Sequence, residues 1–267
     1  SKHARVSNYW KYFIGQSEQL VRNNVFAKKE KIEKDFLTWA SKSEDRKLMY
    51  GSAIELVHKS KKASQDFIIP NVYFMEAIYQ GPELFGFLIN NFGSRSAMAA
   101  ALNSGDQKEI QNAKDALLEK ADEFYKNYNQ EIDQNLMAAM LKVYNDDVPS
   151  SFHPEALSNL AKKYKNNFEK FAEKYYSKSP FVSKDKLSSW LDSKLSKEAL
   201  EKDAVYSLAN SFLQLYIQSI MMPSIAFESD FNKGMRLFVD GLNKMGYNKA
   251  SDANSTMRVT YGNVLPY

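Results

Sequence analysis

From Asp106 to Tyr144 apolar residues return every three or four positions without a miss. Ile110, Ala113, Leu117, Ala121, Phe124, Tyr128, Ile132, Leu136, Met140 and Tyr144 all keep that rhythm. A seam of this period runs down one face of an α-helix, whereas a strand would turn successive side chains to opposite faces. So long a seam must be covered by neighbouring helices, and the spacing predicts an all-α, multi-helix bundle. Asp106 is placed to cap the start of this helix, and Asp146-Asp147-Val148-Pro149 to end it. Its Met and aromatic residues read as core, not as a cofactor box.

The rest of the chain repeats the theme. Helices are expected over Ser7–Ala40, Glu44–Lys62, Glu155–Tyr176, Lys184–Leu195, Lys197–Met222 and Ile225–Met245. Asn71–Asn91 reads as two short buried helices broken at Gly81-Pro82, with Gly93-Ser94 as a stop and a new cap. The loop 146–154 is the one expected subdivision. No period of 20 to 50 residues recurs, which excludes a solenoid.

Composition narrows the function classes. The 267 residues hold no Cys, which removes disulfides, thiolate nucleophiles and Cys-based metal sites. Lys and Arg number 36 against 32 Asp and Glu, with both signs interspersed. A formal surplus of four is an ordinary solvated surface. The densest basic run, Lys59, Lys61 and Lys62, has no interleaved aromatics to stack bases, so no nucleic-acid partner is expected.

Ala204 to Phe227 carries no charge and is long enough to span a bilayer. Ser207, Ser211, Gln214 and Gln218 nevertheless draw a polar stripe down one helical face, and Pro223 follows. That pattern predicts a buried bundle helix rather than a membrane span. The start, Ser1-Lys2-His3-Ala4, lacks Met and any secretory pattern, so a processed chain or an excerpt is expected.

The last segment departs from the helical rhythm. Met257-Arg258-Val259-Thr260-Tyr261 alternates apolar and polar residues, is rich in β-branched and aromatic side chains, and is bounded by Gly262 and Pro266. It reads as a lone strand, whose backbone groups need a sheet made elsewhere. The expected organisation is a helical domain over 1–256 and a strand over 257–267.

Self-contained chemistry is sparse. His3, His58 and His153 are far apart, and no His-Glu-x-x-His motif occurs, so no metal and no cofactor are expected. There is no Gly-x-Gly-x-x-Gly loop and no Gly-x-Ser-x-Gly elbow. Gly81 and Gly86 have the spacing of a phosphate loop but lack the Lys that should follow. Asn254-Ser255-Thr256 matches a glycosylation acceptor, a pattern common by chance.

Two blocks carry a family resemblance. Ser7-Asn8-Tyr9-Trp10-Lys11, leading into Ile14-Gly15, resembles the start of the helical insertion in bacterial serine dipeptidyl-peptidases of the dipeptidyl-peptidase 7 and 11 type. Asp252-Ala253-Asn254-Ser255-Thr256-Met257-Arg258-Val259-Thr260-Tyr261-Gly262 resembles the point where that chain returns to its barrel. The resemblance implies a helical lid domain inserted into a chymotrypsin-like double β-barrel, with the strand belonging to the barrel. In that family the catalytic His and Asp precede the insertion and the nucleophilic Ser follows it, so no catalytic residue is expected in this chain. The resemblance further implies export to the periplasm or surface of a Gram-negative bacterium. The implied partners are peptides with a free N-terminus and the catalytic barrel of the same polypeptide, with a homodimeric parent enzyme as one option.

Asn8 is the single candidate substrate-binding residue. A side-chain amide oxygen can accept a hydrogen from a substrate ammonium without itself bearing charge. The resemblance implies that Asn8 supplies such a contact, with Tyr9 and Trp10 supporting it by packing. The competing assignment is that Asn8 or Ser7 caps the first helix. At the level of the whole chain the alternative is a stand-alone helical interaction or scaffold protein without catalytic activity.

Overall fold

The computed structural model describes residues 2–193, 195–247 and 262. Among the described residues every regular element is helical. In chain order these are α1 (Lys2–Arg22), α2 (Val25–Ala40), α3 (Glu44–Tyr50), α4 (Ala53–Tyr73), α5 (Glu83–Phe92), α6 (Ala97–Ser104) and α7 (Gln107–Tyr125). They continue as α8 (Gln130–Asp147), α9 (Glu155–Tyr164), α10 (Phe168–Tyr175), α11 (Lys184–Ser193), α12 (Lys197–Lys202), α13 (Ala204–Leu215) and α14 (Met222–Lys244). Two π-helical turns, Phe74–Tyr79 and Tyr216–Met221, follow α4 and α13 directly. The fold class is all-α, as the periodicity predicts; the expected strand 257–261 lies outside the described residues.

Several helices expected as single rods are broken. The Ser7–Ala40 helix parts at Asn24, whose φ of 52° is left-handed. Asn tolerates that conformation better than most residues because its short polar side chain can bond locally. Glu155–Tyr176 parts the same way at Lys165 and Asn166, with φ of 51° and 61°. The long seam breaks between Tyr125 and Gln130, where the Asn129 side chain accepts the Ile132 N–H and starts α8. The buried face shifts across the break: Asp133, Met137, Leu141 and Tyr144 turn inward while Ile132 is 66% exposed. Lys197–Met222 also divides, because the Asp203 carboxylate accepts the Val205 and Tyr206 N–H groups and caps α13.

Pro223 does not stop its helix. In a straight α-helix its ring would strike the carbonyl of Ser219, four residues earlier. Ser219 lies in the wide turn Tyr216–Met221, where the Met222 N–H reaches back to Ile217 instead, and α14 continues beyond.

The chain divides into two compact units. One comprises residues 1–61 and 229–267, the other 62–228, with both boundaries inside helices, α4 and α14. The subdivision expected near 146–154 is not where the units part. That loop lies within the second unit, where Tyr144 donates to the Phe152 carbonyl at 3.0 Å and His153 Nε2 bonds the Val148 carbonyl at 2.8 Å.

In the first unit Phe36, Ala40, Tyr50, Ala53 and Ile54 form the core, with Trp39, Leu237, Phe238 and Leu242 against it. Phe36 meets Phe238 edge-on at 4.9 Å. α14 comes this close because position 241 is Gly: a Cβ there would lie 2.4 Å from the Phe36 ring. The second unit has the larger core, with Leu84, Phe85, Leu88, Tyr144, Leu157, Phe181 and Phe212 fully buried. Each such side chain contributes about 1.5–3 kcal/mol of transfer free energy. Trp190 packs there against Phe92 and Phe181. The uncharged stretch from Ala204 belongs to this core through Val205, Leu208, Ala209 and Phe212, and no helix among the described residues is long and apolar enough to cross a membrane.

Candidate functional site

Asn8 lies on the exposed surface of α1, in its second turn, and so is not the cap of a helix that begins at Lys2. Around it stands an unusual amount of exposed aromatic surface: Tyr9, Trp10, Tyr12 and Phe13 are all exposed. Tyr9 packs edge-on against Phe13 at 4.6 Å and against Trp10 at 5.9 Å. The sequence offers these aromatics no covering face within α1, because they occupy consecutive as well as helical positions. Large exposed apolar patches mark surfaces that meet something else.

A second feature was not legible in the sequence. In the second unit the two π turns face one cavity of about 370 Å³. Phe74, Met75 and Tyr79 come from the first turn; Tyr216, Ile217 and Met221 come from the second. The Phe74 and Tyr216 rings are stacked, and Tyr216 donates to Asn71 Oδ1 at 3.1 Å. Ile89 and Leu213 complete the apolar wall, while Asn90, Arg95 and Ser96 supply the polar side.

The polar side is built by a short turn. Gly93 ends α5, the Ser96 N–H bonds the Gly93 carbonyl at 2.8 Å, and the Ser96 hydroxyl oxygen accepts the Ala99 N–H to start α6. A Cβ at Gly93 would sit 2.7 Å from the Leu213 side chain, so glycine permits α13 to close in beside Arg95 and Ser96. Tyr79 donates its hydroxyl to Asn90 Oδ1 at 2.9 Å. Among the described residues no carboxylate lines the cavity.

One buried carboxylate stands apart from it. Asp133 accepts the Glu83 and Leu84 N–H groups at the start of α5, and the Tyr176 hydroxyl. Tyr128 donates in turn to the Tyr176 oxygen at 3.2 Å. Burial pushes the Asp133 carboxyl above its ordinary range, against the pull of the Tyr176, Leu84 and Glu83 hydrogen bonds. Burial likewise drives the Tyr176 hydroxyl far up, helped by the nearby Asp133 charge. Every partner here is a core or capping group, so the cluster ties α5 and α8 to Tyr176 at the end of α10 rather than forming a reaction centre.

His58 pairs with Glu33 at 3.2 Å, His153 serves its own loop, and among the described residues no group of three or more His, Asp or Glu is placed to hold a metal.

The family model described as Peptidase S46 matches residues 1–267. The chain is 30% identical over 274 residues to a protein named Dipeptidyl-peptidase 7 from Porphyromonas gingivalis, covering 100% of this chain and 36% of that one. It is 27% identical to a Dipeptidyl-peptidase 7 from Capnocytophaga gingivalis, covering 99% of this chain and 36% of the relative. It is also 27% identical to an Asp/Glu-specific dipeptidyl-peptidase from Flavobacterium psychrophilum, covering 100% of this chain and 36% of the relative. The chain thus spans little more than a third of the length of these relatives. With one family model running from its first residue to its last, this helical chain belongs to the Peptidase S46 family.

Proposed function

We propose that this chain is the helical lid domain of an exported serine dipeptidyl-peptidase, acting in the periplasm or at the cell surface. In this reading the domain caps the active-site cleft and helps hold the free amino terminus of a peptide. The nucleophile and its base come from the rest of the polypeptide. One observation carries the reading. Relatives bearing two names, Dipeptidyl-peptidase 7 and Asp/Glu-specific dipeptidyl-peptidase, match the same helical stretch end to end. A part common to both suits a task common to both. Releasing dipeptides requires measuring two residues from a free ammonium, whatever side chain is preferred at the cleavage position.

Asn8 is the residue proposed for that task. Its exposure on α1, beside aromatics with no covering face, supports a role toward something outside the helix. Loss of a hydrogen bond to a charged group should lower kcat/KM by about tenfold to a hundredfold. Steady-state kinetics of Asn8→Ala in the full-length enzyme, on unblocked dipeptidyl substrates and with the melting temperature followed alongside, tests this. Unchanged kcat/KM with a lowered melting temperature removes Asn8 from substrate binding.

A further inference from the structure

We infer that the cavity between the two π turns is a binding site for a small carboxylate on an apolar body, such as an aryl-alkanoate or a medium-chain acid. Its size comes first. At about 370 Å³ it is well above the volume that packing defects leave in a core, and it falls within the range of roughly 300–1,000 Å³ typical of ligand pockets. Its apolar wall is firm: the Phe74–Tyr216 stack forms one side, and Ile89 on α5 with Leu213 on α13, which closes in at Gly93, form another.

The charge of the ligand follows from counting the hydrogen-bond groups that remain. Asn90 Oδ1 already accepts from Tyr79, so the Asn90 amide has its two N–H donors to offer. The Ser96 oxygen already accepts the Ala99 N–H, so its O–H is left to donate. Arg95 has donors only, and among the described residues it takes part in no ion pair within 4.0 Å. Among the described residues the polar side is therefore mostly donors, with a single positive charge and no carboxylate. A ligand ammonium would find no anionic partner. A carboxylate would match the planar guanidinium in a forked pair, with the amide and hydroxyl alongside. The apolar body then lies against the π-turn aromatics.

The π turns are what make the room. A π turn widens the helix and displaces the side chains that follow by one position, and such turns recur at functional sites. Both π turns among the described residues border this one hollow.

The test is isothermal calorimetry on the whole protein, with 4-phenylbutyrate and octanoate as carboxylates and 4-phenylbutylamine as the same body with the opposite charge. One-to-one binding of a carboxylate, with the amine at least about tenfold weaker, is expected. Arg95→Gln, at an exposed position where folding is not at risk, should weaken carboxylate binding by about tenfold to a hundredfold. Ile217→Trp, which fills the cavity, should abolish it. Absence of saturable binding at millimolar carboxylate overturns the inference. So does equal binding of the amine, or an Arg95→Gln protein that binds as wild type. Calorimetry needs no peptidase turnover, so this outcome is independent of the dipeptidyl-peptidase reading.

Discussion

The ring of Phe74 lies on the ring of Tyr216, with centroids 4.0 Å apart and planes 9° from parallel. Phe74 is buried and opens one π turn; Tyr216 opens the other. The pair therefore links two wide turns that are far apart in sequence. Phe74→Ala removes the buried ring and should cost about 3–5 kcal/mol in urea unfolding. A double-mutant cycle of Phe74→Leu with Tyr216→Leu should return a coupling of about 0.5–1.5 kcal/mol beyond lost area. Strict additivity would mean that the stack adds nothing specific.

Asp133 predicts a pH dependence. Burial raises its folded value above the ordinary 3.8, so the folded protein holds this proton more tightly than the unfolded chain does. A raised folded value contributes stability that is fully present below the unfolded value and is lost as pH rises through the folded one. The stability of the wild type minus that of Asp133→Asn should therefore fall as pH climbs from below 3.8 through the raised value, then level off. Urea melts of both proteins across that window read it directly. A difference that rises with pH contradicts the burial argument.

Gly241 and Gly15 predict opposite outcomes for the same substitution. Gly241→Ala drives a methyl into the Phe36 ring and to 3.2 Å from Trp39. Overpacking of this kind should cost about 1–3 kcal/mol. Gly15 lies within α1 with nothing within 4 Å of a Cβ, and Gly15→Ala should gain about 0.5–1 kcal/mol. Thermal melts of the two variants should move in opposite directions.

The proposed division of labour makes a kinetic prediction. The 267-residue chain alone should hydrolyse no dipeptidyl substrate, because binding surface cannot replace a nucleophile and its base. Turnover by the purified chain, blocked by a serine-directed inhibitor, would assign catalysis to these residues instead.

Element type was legible because apolar period encodes which face is covered, and the covered faces are helical throughout. Breaks were less so. An apolar seam can run on in sequence across a break, as it does from Phe124 to Ile132, while the chain turns and buries Asp133 and Met137 instead. Asn24, Asn129, Asn166 and Asp203 mark the interruptions, but Asn and Asp are also common elsewhere in loops and caps. A π turn leaves still less trace, since one added residue shifts the register without altering composition. Of the two candidate sites, Asn8 stands in a contiguous block and could be read locally. The cavity is assembled from Ile89, Arg95 and Leu213, which only tertiary packing brings together.

The tryptophans give each unit its own optical reporter. Trp39 lies among Phe36, Tyr50 and the Arg46 guanidinium at 4.7 Å, while Trp190 is buried beside Phe92 and Phe181. Trp10, the third, is 43% exposed and should emit at longer wavelength whether or not the cores are intact. Replacing Trp10 with Phe would leave one emitter per unit, and removing Trp39 or Trp190 next would silence one of them. Fluorescence could then follow the melting of each core by itself, without any label and without Cys to engineer around.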